Sequence, residues 1–168
     1  NGTLLTEIGT YYRENIPYEQ MPESLIDAFL SVEDSRFFEH NGFDIPRFTK
    51  SVLETVLRHN TQGGSTFTMQ LVKNTYFSIE DGDNSTERSA TLSYKAQQIV
   101  LSMQLEKQLS KREIFELYVN KLNFGDRIRG VQKAAQYYYG KNASQLTLAE
   151  SALLAGIINL PNTYNPYN

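Results

Sequence analysis

The chain has 168 residues, enough for one domain with room for a small second lobe. Hydrophobic residues make up 40% and charged residues 21%, and a formal net charge of −3 leaves no electrostatic footprint for nucleic acid. The absence of cysteine excludes a disulfide framework and a thiolate metal site. No apolar run approaches the roughly 18–20 residues that span a bilayer, and no signal peptide is visible. The abrupt start at Asn1 and stop at Asn168 read as those of a fragment, with any membrane anchor outside it.

Helical signals run nearly throughout. Pro22 opens a segment in which Leu25, Ala28, Phe29 and Val32 recur at helical spacing. Asp44 is the expected N-cap of a second helix, with Pro46 in its first turn and Phe48, Val52 and Val56 on one face. A glycine-rich turn, Gln62-Gly63-Gly64-Ser65-Thr66, leads into a helical stretch reaching about Tyr76. The acidic segment from Glu80 to Ser85 reads as a surface loop. A long helix is predicted from about Glu87 to Gln108, with Leu92, Ile99, Val100 and Met103 as its apolar contacts. Two capping boxes, Ser110 with Glu113 and Thr147 with Glu150, each start a further helix. The second of these carries Leu148, Ala152, Leu153 and Ala155. No alternating pattern argues for a strand, so the expected class is mainly α.

Three stretches carry chemistry. In the first, the adjacent carboxylates Glu33 and Asp34 end an apolar helix and are followed by Phe37, Phe38 and a His40-Asn41-Gly42 turn. A carboxylate walled by aromatic rings can serve as a general base or acid. Composition alone favours the plainer reading, a charged helix end followed by a loop. With only two histidines, His40 and His59, a histidine metal centre is not expected.

The second stretch runs from Gly63 to Asn74. Backbone amides at a helix start, the hydroxyls of Ser65 and Thr66, and Lys73 further on suit an anionic ligand, although an ordinary capped helix explains the turn as well. It is not a P-loop, because the spacing is wrong.

These stretches resemble the signatures of the family 51 glycosyltransferases, the peptidoglycan polymerases of class A penicillin-binding proteins and monofunctional transglycosylases. Glu33, Asp34, Phe37, His40 and Gly42 match every fixed position of the family's Glu-Asp-x-x-Phe-x-x-His-x-Gly. Gly64, Ser65, Thr66, Thr68, Gln70, Lys73 and Asn74 match Gly-Gly-Ser-Thr-Ile-Thr-Gln-Gln-x-x-Lys-Asn, with Phe67 for Ile and Met69 for the first Gln. The Glu-Leu-Tyr-x-Asn signature is present as Glu116-Leu117-Tyr118-Val119-Asn120. The likeness covers about Ile16 to Pro166 and implies a mainly helical, lysozyme-like fold, one domain over residues 1–168 with a membrane-proximal jaw at about 36–85. Phe37, Phe38, Phe48, Val52, Val56 and Leu57 are jaw candidates, although core packing is the safer assignment for at least half of them.

The third signature, Arg-Lys-x-x-Glu, falls on Tyr94-Lys95-Ala96-Gln97-Gln98. Lys95 is kept, but the arginine is Tyr94 and the glutamate is Gln98. Residues 94, 95 and 98 share a helix face, so one cation is left where two would meet a diphosphate. Gln98 cannot ionise, and the bidentate fork of an arginine is lost. Weakened chemistry, compensation by Arg88, Lys73, Arg127 or Arg129, and an introduced substitution all remain open.

The resemblance implies Glu33 as the base that takes the proton of an acceptor 4-hydroxyl, with Gln98 at the position of a second catalytic glutamate. It implies substrate binding by Asp34, Phe37, His40, Gly64, Ser65, Thr66, Gln70, Lys73, Asn74, Tyr94 and Lys95, where Asp34 and His40 hold the site in shape. Glu116 and Asn120 are read as fixing the fold. Partners implied are lipid II, a lipid-linked glycan strand, the outer surface of a bacterial membrane and a C-terminal transpeptidase domain. No resident cofactor is required, a divalent cation being the one the family allows. A catalytically impaired lipid II or glycan-binding module is the alternative. A lytic glycosidase fits less well, because cleaving a neutral glycosidic bond needs no diphosphate cradle.

Overall fold

The computed structural model describes residues 12–58, 63–77, 92–125, 128–159 and 163–164. Two compact units are formed, one from residues 1–28 and 119–168 and one from residues 29–118. The class is mainly α, as expected, with seven α-helices among the described residues: α1 Glu23–Glu33, α2 Ile45–Arg58, α3 Phe67–Val72, α4 Leu92–Leu105, α5 Lys111–Lys121, α6 Val131–Tyr139 and α7 Leu148–Ile157.

In the first unit, β1 Tyr12–Arg13 pairs in parallel with β2 Ile128–Arg129. Two residues are too few to leave an alternating pattern, which is why no strand was legible. Asn120, buried on α5, clamps the incoming chain by accepting from Ile16 N at 3.0 Å and donating to Ile16 O at 2.9 Å. Gly130 and Gly140 bracket α6, and a Cβ on Gly130 would lie 2.9 Å from Asn120 O. The Thr147–Glu150 capping box opens α7 as expected. Lys141 bonds the Glu150 carboxylate at 2.7 Å, and this contact first, with Thr147 after it, holds its pKa down to about 2. The buried side of α7 is Ser151, Leu154, Ala155 and Ile157. Leu148, Ala152 and Leu153, expected as apolar contacts, are exposed instead, because the inward face is offset from them along the helix.

The second unit carries every predicted chemical stretch except Asn120. Pro22 O accepts from Leu25 N and Ile26 N as α1 begins. Asp44 caps α2 as predicted, its carboxylate accepting from Arg47 N at 3.0 Å. The predicted apolar face of α2 is not core. Ile45, Val52, Leu53 and Leu57 are 46–70% exposed, and Phe48 packs on Phe43 with ring centroids 5.2 Å apart. Phe37 is fully buried whereas Phe38 is exposed, which divides the two jaw candidates.

Five of the six residues of α3 are buried, and the helix widens at Lys73–Phe77 into a π-helical turn, a form that recurs at functional sites. On α4 the expected contacts Val100 and Met103 are exposed, the side chain of Leu92 lies outside the described ones, and the buried side chains among those described are Gln98 and Ser102. This helix turns a polar face inward, toward the second chemical stretch. Residues 78–91, which hold the predicted loop and helix start, lie outside the described residues, as do His59 and the side chain of Val56. The Ser110–Glu113 box opens α5 with reciprocal bonds of 2.7 and 3.3 Å.

Gly42 shows why its place is restricted. Its φ is +88°, and a Cβ there would lie 2.7 Å from the backbone carbonyl of Ser102. Gly42→Ala should therefore lower unfolding stability by more than about 2 kcal/mol, read as a fall in the denaturation midpoint. A change under about 0.5 kcal/mol would contradict the tight passing of backbones.

Candidate active site

The Asp34 carboxylate, fully buried at the end of α1, organises the site. Its oxygens accept from Phe67 N at 3.0 Å and from His40 Nε2 at 3.0 and 3.2 Å, and Arg47 Nη1 approaches to 3.8 Å. The first amide of α3 is thus satisfied by the protein's own carboxylate, and Thr66 Oγ1 takes that of Met69 at 3.2 Å while donating to Gly42 O at 2.8 Å. Two of the opening amides of α3, those of Phe67 and Met69, are therefore already taken within the protein. A carboxylate from α1 fills one position and the Thr66 cap another.

Below these groups lies an aromatic cluster. Phe37 meets Phe67 at 5.1 Å and Phe115 at 6.5 Å between ring centroids, and Lys111 Nζ sits 4.4 Å above the Phe37 ring. Lys111 also pairs with the buried Glu106 carboxylate at 2.7 Å, to which Thr68 donates. Asp34, Phe37, His40 and Thr66 are all buried, so they shape the site from beneath.

Glu33, half-buried and next to Asp34, stands above this layer. Gln70 Nε2 donates to its Oε2 at 2.9 Å, and Tyr118 Oη donates to Gln70 Oε1 at 3.3 Å. Burial, followed by the charges of Glu33 and Asp34, pushes the Tyr118 phenol well above its ordinary pKa, so it stays protonated.

A cleft of about 320 Å³ gathers the second and third stretches: Ser65, Gln70, Lys73, Asn74, Lys95 and Gln98 line it. Lys95 Nζ donates to Ser65 Oγ at 2.6 Å. Its pKa is lowered, first by burial and then by the charge of Lys73. Two ammonium groups facing one cleft, one of them partly desolvated, make a seat for an anion. Tyr94, in the arginine position, also lines the cleft and packs edge-on against Phe77 at 4.7 Å. Gln98 is buried in the wall. Met69 is fully buried as well, so the Gln it replaces is exchanged for core packing. Gly64 is closely passed by Ser51, to which a Cβ there would come within 3.2 Å.

A second cleft of about 610 Å³ shares Gly63 with the first and is lined by Arg36, Arg47 and Lys50 among others. These three cations were missed in the sequence. Arg36 and Arg47 lie within three residues of matched or capping positions, which is the one signal that could have found them. Of the proposed compensating cations, Lys73 faces Lys95, Arg129 belongs to β2, and Arg88 and Arg127 lie outside the described residues. Among the described residues no three His, Asp or Glu groups converge as metal ligands.

Residues 1–168 match the Transglycosylase family, and the chain belongs to it. It is 41% identical to penicillin-binding protein 1A of Streptococcus pneumoniae over 165 residues, which cover 98% of this chain and 22% of that protein. Identity to penicillin-binding protein 1A of Pseudomonas aeruginosa is 41% over 167 residues, 99% of this chain and 19% of that protein. For the Escherichia coli protein of the same name it is 39% over 167 residues, again 99% and 19%. The chain thus spans about a fifth of the length of these curated relatives.

Anion binding in the smaller cleft should be pH-dependent through Lys95. Its lowered pKa means that its proton leaves, as pH rises, before that of an ordinary lysine near 10.5. Calorimetric affinity for inorganic pyrophosphate should accordingly fall at a pH below 10.5, and Lys73→Ala should move that fall upward. An unchanged midpoint in Lys73→Ala would contradict the coupling of the two lysines.

Proposed function

We propose that this domain polymerises lipid II into glycan strands, with undecaprenyl diphosphate as the leaving group. The observation that carries the reading is the cleft in which Lys73, Lys95 and Ser65 meet beside the Gln70–Glu33 pair. Glu33 takes the proton of the acceptor 4-hydroxyl as its oxygen attacks the anomeric carbon of the donor. The bond from that carbon to the diphosphate oxygen breaks with inversion, and the electron pair leaves on the diphosphate. Lys73 and Lys95 meet the charge that develops there. Ser65 and Asn74 border the same seat, and Gln98 supplies a neutral amide where a carboxylate would otherwise stand.

The membrane is the natural source of such a substrate. No helix among the described residues is long and apolar enough to cross one. The exposed Phe38, Ile45, Val52, Leu53 and Leu57 support a jaw, within about residues 36–85, that rests on the lipid surface. By the same reading the full-length protein works at the extracytoplasmic face of a bacterial cell membrane and carries an anchor and a C-terminal transpeptidase domain, as its relatives' length allows.

Gln98 and Tyr94 favour a second reading, a module that holds lipid II without turning it over. Polymerisation of labelled lipid II by the full-length protein in detergent separates the two. The parent should make strands, Glu33→Gln should lose at least about a hundredfold in rate, and Gln98→Glu should gain about tenfold. An inert parent revived by Gln98→Glu would favour the binding module. Undiminished synthesis by Glu33→Gln would remove Glu33 as the base.

A further inference from the structure

A side-chain amide has two ends of nearly equal size, and its neighbours alone decide which end faces which. At Gln70 both neighbours make the same choice. Glu33, as a carboxylate, can only accept, so it takes the Nε2 end at 2.9 Å. Tyr118 lies on the other side and donates to the Oε1 end at 3.3 Å. The phenol is kept protonated by burial and by the two carboxylates, so it remains a donor while Glu33 is charged.

The phenol is itself firmly held. Tyr118 is buried, and its ring lies 4.4 Å, centroid to centroid, from that of Phe67. Phe67 N is bonded to Asp34, the residue beside Glu33. The path from Tyr118 therefore reaches the carboxylate pair twice: through Gln70 to Glu33, and through the Phe67 ring and amide to Asp34.

We propose that Tyr118 is a positioning residue for glycosyl transfer: through Gln70, its hydroxyl holds the Glu33 carboxylate in the orientation that receives the acceptor's proton. This rests on Glu33 being the base. Tyr118 touches no reacting atom. Its effect reaches the reaction only through the amide, and that dependence can be measured. Removing the hydroxyl leaves Gln70 fixed at one end, so the carboxylate it holds samples more orientations. The substrate seat on Lys73 and Lys95 is untouched by the change, so the effect belongs in kcat rather than in KM.

The test is a double-mutant cycle on the full-length protein with labelled lipid II, comparing the parent, Tyr118→Phe, Gln70→Ala, the pair together, and Glu33→Gln. Tyr118→Phe keeps the ring, and thermal unfolding checks that it folds. Its kcat should fall about fivefold to tenfold with KM within about twofold, the loss of one hydrogen bond to a positioned group. In the Gln70→Ala background the same substitution should cost less than about twofold, since no amide is left to orient. An equal loss in both backgrounds, or no loss in either, would overturn the assignment. Turnover surviving Glu33→Gln would overturn the base and the assignment together, whereas a silent Glu33→Gln beside a fully active Tyr118→Phe would overturn the assignment alone.

Discussion

A carboxylate buried without water must find its hydrogen bonds within the protein, and at Asp34 this requirement draws four segments to one point. The end of α1 supplies the charge, the start of α3 an amide, the turn before α2 an imidazole and α2 itself a guanidinium. Leaving such a charge uncompensated would cost several kcal/mol, so the segments are tied together as firmly as a core would tie them. The consequence for chemistry is positional. Glu33 is the preceding residue of the chain, and with Asp34 held in place its own carboxylate can reach only a small region. Gln70, one turn into α3, is brought to it by the same Asp34–Phe67 link.

The cationic side of the site is built differently. Lys73 stands where α3 widens into a π-helical turn, and Lys95 leans on Ser65 from the facing helix α4. Neither Tyr94 nor Gln98 offers the charge found at these positions in the family signature. The two lysines consequently face one another across the cleft with their repulsion unrelieved by Gln98, and the lowered pKa of Lys95 carries part of that strain.

Much of this was legible. The caps of α2, α5 and α7 follow from Asp44, Ser110 and Thr147, because a short side chain bonding a nearby amide is a local event. The membership of Ser65, Gln70, Lys73, Lys95 and Gln98 in one site was readable from their resemblance to the signatures. Other features depend on residues far apart in the chain. Nothing local tells that the opening amide of α3 is taken by Asp34, thirty-three positions away, so the helix start read equally well as an anion seat and as an ordinary capped helix. The exposed side of α2 and the polar inward face of α4 reverse what hydrophobic spacing suggests, since periodicity finds a stripe but not what the stripe faces. Tyr118 gives no local sign of a further role: its ring packs, and its hydroxyl acquires a partner only once α3 and α5 have met.

The most direct test of the account is a structure of the full-length protein with a non-transferable lipid-linked disaccharide diphosphate in place of the donor. The account requires diphosphate oxygens within hydrogen-bond distance of the Lys73 and Lys95 ammonium groups, with the anomeric carbon turned toward the Glu33 carboxylate. A diphosphate seated among Arg36, Arg47 and Lys50 instead, leaving the two lysines uncontacted, would contradict it.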